Sequence, residues 1–128
     1  MSLALFLTGA GWAWVHWRDE TGQAGEVLRD FKPWLMKGHG FAALGFVLLF
    51  GTLLPVHVRH SWHAHKNRRN GVFFISVVSL LTLSGYALYY LGDERTRALT
   101  SAFHWWVGLA TPALLCWHIR SGRRATRS

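Results

Sequence analysis

Four stretches of the chain are almost free of charge: Leu3 to Trp17, Gly38 to Val58, Gly71 to Leu91 and Ala98 to Ile119. A helix crossing the hydrocarbon core of a bilayer takes about 20 mostly apolar residues. Three of the blocks reach that length and the first is marginal. In a chain of 128 residues they leave little material for anything else. Charged residues make up 16% of the sequence, against roughly 25% in ordinary soluble domains. The expected fold is all-α: a four-helix transmembrane bundle forming a single integral membrane domain over residues 1–128. Its spans are expected at about residues 2–17, 36–58, 71–91 and 98–119.

A formal charge of +8 would point a soluble chain toward nucleic acid. Here the placement of the charge argues for orientation in a membrane instead. The connection after the second block carries Arg59, Lys66, Arg68 and Arg69, and the tail carries Arg120, Arg123, Arg124 and Arg127. Neither contains an acid. Asp19, Glu20, Glu26, Asp30, Asp93 and Glu94 all fall in the other two connections. Four spans put both acid-free segments on one side, which the positive-inside rule makes cytoplasmic, together with both termini. Lipid is therefore the expected surroundings and nucleic acid is not an expected partner.

The first block lacks a basic leading region and an A-x-A-like cleavage site, so it reads as a retained span rather than a signal peptide. Tryptophan and tyrosine cluster where interfaces should be: Trp12, Trp14, Trp17, Trp34, Trp105, Trp106, Tyr89 and Tyr90 outside, Trp62 and Trp117 inside. The single Cys116 lies within the fourth block and reads as a packing residue.

Polar residues inside spans are costly and mark function. The second block has His39 and His57 near its two ends, and the fourth has His104 and His118. At about 100° per residue His57 returns to the face of His39, some 27 Å along the helix. His118 falls about 40° from His104 after about 21 Å. The second and fourth spans run in the same direction. His39 and His104 are then expected at the outer level, His57 and His118 at the inner one. Two imidazoles across a bundle, with no thiolate or carboxylate beside them, suit the axial positions of a haem iron. Two such pairs would hold two haem b groups, with all four histidines as ligands. His16, at the outer end of the first block, and His60, one turn beyond His57, are the alternative ligands.

With these residues the chain resembles the small four-helix di-haem b-type cytochromes, such as the membrane subunits of bacterial formate dehydrogenases and nickel-iron hydrogenases. His104 and His118 match the H-x(13)-H spacing of respiratory cytochrome b, while His39 to His57 is one helical turn longer. The resemblance implies an electron-transfer subunit rather than a stand-alone catalyst. It implies exchange with a quinone pool or a partner redox subunit, in a bacterial cytoplasmic membrane. Two other functions fit the same composition: a haem-free anchor or assembly subunit, and a reductase of external ferric iron.

The remaining features are less specific. LLPVHVRHSWHAHKNRRN, residues 53–70, gathers His57, His60, His63 and His65. With no Cys, Asp or Glu beside them it reads as a membrane exit rather than a zinc site. Pro55 and Pro112 lie in spans, where kinks could aim His57 and His118. Ser76, Ser79, Thr82, Ser84 and Gly85 in the third block are candidates for close packing or hydrogen bonds between helices. Tyr86, Tyr89 and Tyr90 read as belt residues. The long outer connection is expected to form a short surface helix near residues 25–31. Phosphate loops, nucleophile triads and paired catalytic carboxylates do not occur.

Overall fold

The computed structural model describes the backbone of residues 1–63 and 68–127, and the side chains of these except 57, 60–63 and 125–127. The described residues form four helices and no strand: α1 Ser2–Glu20, α2 Glu26–His63, α3 Arg68–Tyr90 and α4 Glu94–Arg127. Each charge-free block lies within one helix, save Leu91 just past the end of α3, and a helix satisfies the backbone hydrogen bonds of an apolar segment internally.

Local chemistry sets the breaks. At the end of α1, Gly22 takes a left-handed φ of 69°, and its N–H donates to the Asp19 carbonyl. This is a conformation glycine adopts without steric cost. Asp93 caps α4: its Oδ2 accepts from the Thr96 N–H at 2.8 Å and from the Thr96 hydroxyl. The outer connection is shorter than the sequence implies. The helix expected near residues 25–31 is the first two turns of α2, which runs without a break through Pro33.

Two helical segments, Glu26–Val56 and Arg68–Tyr90, are long and apolar enough to cross a membrane by length and composition. Among the described residues α1 and α4 do not meet the same measure. Their apolar stretches are interrupted by His16, Trp12, Trp14 and Trp17, and by His104, Trp105, Trp106, Trp117 and His118, which count as polar on a hydropathy scale although they suit an interface.

The chain divides into two compact units, Met1–Leu48 and Leu49–Ser128. In the first, α1 runs antiparallel to the opening half of α2: Thr8 meets His39, Gly11 meets Leu35, and Asp19 meets Arg29. Ala13, Val15, Ala24 and Ala42 are its buried residues. Small side chains let the two backbones approach. In the second unit α3 runs antiparallel to α4: Ser84 meets His104, Leu81 meets Gly108, and Phe74 meets His118. Asn70, Val77, Val78 and Ser84 are buried there. Large apolar side chains including Phe41, Leu44, Leu48, Leu53, Val56 and Leu83 point outward.

Candidate functional site

The two units hold their histidines in the same way. In the first, the Thr8 hydroxyl lies 3.0 Å from Nδ1 of His39, and Gly9 lies under the same ring. A Cβ at Gly9 would come 3.2 Å from the His39 Cε1. In the second, the Ser84 hydroxyl lies 2.9 Å from Nδ1 of His104, and a Cβ at Gly85 would come 3.2 Å from its Cε1. Each ring is thus seated against a glycine and tied by the hydroxyl that precedes it in the chain. Both histidines are half-buried.

Each hydroxyl also meets its own helix backbone. Thr8 Oγ1 is 2.7 Å from the Ala4 carbonyl and 3.2 Å from that of Leu5, and Ser84 Oγ is 3.1 Å from the Leu81 carbonyl. A carbonyl only accepts, so when the hydroxyl gives its hydrogen to the backbone its oxygen accepts from Nδ1 of the histidine. Protonation at Nδ1 places the ring's lone pair on Nε2. A metal-ligating histidine typically donates its other ring N–H to an oxygen, which fixes the ring and raises its basicity. The donor chemistry and the glycine seats fit axial ligation of a haem iron.

His16 is built differently. Its Nδ1 accepts from Lys32 Nζ at 3.0 Å, so its proton is on Nε2, which meets Glu20 Oε1 at 3.2 Å. Its ring stacks on Trp12 at 4.8 Å. Both ring nitrogens belong to a surface network in which Asp19 also joins Lys32 at 3.1 Å and Arg29 at 2.8 Å. Those two cations, Lys32 first, hold the Asp19 carboxyl below its ordinary value.

At the far end of the α3–α4 pair, the His118 ring stacks on Phe74, with centroids 4.9 Å apart and planes 19° from parallel. Phe73 meets Trp117 edge-on beside them. His57 and His60 belong to α2, but their side chains lie outside the described residues, as do those of His63 and the whole of His65. Among the described residues no group of three or more His, Cys, Asp or Glu side chains is placed to hold a metal ion.

Of the small polar residues of the third block, Ser84 is the one seen reaching across to a histidine. Ser76 and Thr82 return their hydroxyls to their own helix, at the Val72 and Val78 carbonyls. Thr8 and Gly9 are the functional candidates that spacing alone passes over. A signal for them exists: Leu7-Thr8-Gly9 in the first block is echoed by Leu83-Ser84-Gly85 in the third. A tripeptide of that kind is too short to be noticed until the structure shows both copies under a histidine. No known family matches this chain, and neither a curated protein nor a solved structure matches it.

Proposed function

We propose that the chain is a b-type cytochrome of four membrane spans with both termini cytoplasmic, carrying electrons across the bilayer through two bis-histidine haems. The ligands in this reading are His39, His104, His57 and His118, paired as the sequence spacing pairs them: His39 with His104 outside, His57 with His118 inside. The observation that carries it is the repeated seat, in which Thr8 with Gly9 and Ser84 with Gly85 each hold one histidine ring by Nδ1 and against a glycine. A haem-free anchor has no need of the same hydroxyl and the same glycine at two histidines.

Bis-imidazole haem iron supplies one-electron transfer without an open coordination site for substrate. The chain's own part is to orient and insulate. Thr8 and Ser84 fix the ring planes, Gly9 and Gly85 admit the rings between helices, and Phe74 lies flat against His118. The outward-facing leucines and phenylalanines support burial in hydrocarbon, since such a surface is otherwise an association hazard in water. In this reading the chain is one subunit of a larger redox complex, with a quinone pool or a partner cytochrome as exchange partner.

The deciding experiment is a reduced-minus-oxidised absorption spectrum of the purified full-length chain with haem quantification. About two haems per chain are expected. No haem signal would leave the anchor or assembly reading in its place.

A further inference from the structure

The buried face of α3 that includes Ser84 ends, one turn before Phe74, in an asparagine. Asn70 is 7% exposed, and among the described residues neither Oδ1 nor Nδ2 of its amide has a hydrogen-bond partner. A buried amide lacking both bonds is rare, because the lost hydration is not recovered.

Its place is informative. Phe74, four residues on and therefore on nearly the same face, carries the His118 ring. Asn70 stands from Ser84 by the same number of residues as His118 from His104, and α3 and α4 are antiparallel. Asn70 therefore lies near the level of His118, much as Ser84 lies at that of His104.

We infer that the Asn70 amide binds a carboxylate of the group held at His118, which, resting on the reading above, is a haem propionate. The periphery of haem b is hydrocarbon except for its two carboxyl groups, so these are what an amide can bond. Nδ2 donates a hydrogen bond to the carboxylate, and Oδ1 can accept one from the O–H of its acid form. Asn70 is near the start of α3, beside Arg68 and Arg69, where a charged carboxylate gains from basic neighbours and nearby water. The orphaned amide is thus a feature of the cofactor-free chain that binding would relieve.

The test is a haemin titration of the full-length chain in detergent, comparing wild type with Asn70→Leu and ordinary haem with its dimethyl ester. Loss of a hydrogen bond to a charged group should weaken one of the two haems by roughly ten- to a hundredfold and spare the other. The ester should bind wild type more weakly at that same site, and the Asn70→Leu penalty should shrink with it. Without haem, Asn70→Leu should melt no lower than wild type, because it removes an unbonded amide from the interior. If wild type takes up two haems and Asn70→Leu binds both equally well, the Asn70 inference falls and the cytochrome reading stands. The same holds if the penalty is unchanged by the ester. If wild type takes up no haem, both fall. The ester comparison on wild type answers the question even if the variant fails to fold.

Discussion

The Ser84 hydroxyl lies 2.9 Å from Nδ1 of His104 and 3.1 Å from the Leu81 carbonyl of its own helix. Thr8 treats His39 in the same way. One structural device thus occurs in two helix pairs whose sequences otherwise differ. A hydroxyl that looks like a generic packing residue in the sequence becomes, in the fold, the group that anchors a histidine ring.

Removing the hydroxyls should therefore loosen the rings. Thr8→Val and Ser84→Ala each delete a part-buried hydrogen bond, at about 0.5–1.5 kcal/mol. Thermal melting in detergent reads that loss. In the haem-loaded protein the affected iron should titrate at a more positive potential, because an imidazole that no longer donates is a weaker electron donor to the metal. An unchanged potential in both variants would remove the positioning role.

The glycine seats should resist a side chain. Gly9→Ala and Gly85→Ala place a Cβ 3.2 Å from a histidine Cε1, so the ring must give by a few tenths of an ångström. Haem content should fall as the ring moves, and haem quantification reads that loss. Gly11→Ala is the control. Its Cβ would lie 3.5 Å from Leu35 Cδ2, an ordinary contact, and helix propensity should make it neutral or stabilising by about 0.5–1 kcal/mol.

His118→Ala should abolish one haem and keep the other, whereas His16→Ala should keep both. The difference follows from chemistry: His16 has its proton on Nε2 and both nitrogens engaged with Lys32 and Glu20. Haem quantification on the two variants checks this. Loss of a haem in His16→Ala would reverse the assignment.

The end of α1 and the start of α4 should each weaken in acid. Lys32 and Arg29 hold the Asp19 carboxyl below its ordinary value of 3.8, and Thr96 does the same for Asp93. A group with a lowered folded pKa adds stability above its unfolded pKa and loses it as pH falls through the folded value. Amide-exchange protection at the end of α1 and the starts of α2 and α4 should hold from neutral pH down to about pH 4 and drop below it. Asp19→Asn should flatten that dependence around the α1–α2 connection.

Topology separates four spans from two. With Cys116 replaced by serine, single cysteines at Gln23, Gly92 and Ser128 would be probed in intact cells with a membrane-impermeant thiol reagent. Four spans expose Gln23 and Gly92 outside and Ser128 inside. If only Glu26–Val56 and Arg68–Tyr90 cross, Gly92 and Ser128 label from the same side.

Much of this molecule was legible in one dimension. The four helices follow from four charge-free blocks, and their breaks from Gly22 and Asp93, because helix formation and capping depend on residues a few positions apart. α2, Glu26–His63, joins the short helix expected near residues 25–31 to the second apolar block. Charges and Pro33 in its first part look like a loop in sequence, yet that part gains ion pairs to α1 through Arg29 and Lys32.

The sequence by itself determined that the chain is helical, where its apolar segments and basic ends lie, and that histidines recur near the ends of two of them. Only the tertiary structure decided that Thr8 meets His39, 31 residues away, that Ser84 meets His104, 20 residues away, and that Asn70 is left unbonded. Those outcomes depend on the antiparallel register of two packed helices and on the direction of each Cβ. Residue spacing within one helix carries no information about the register of its neighbour.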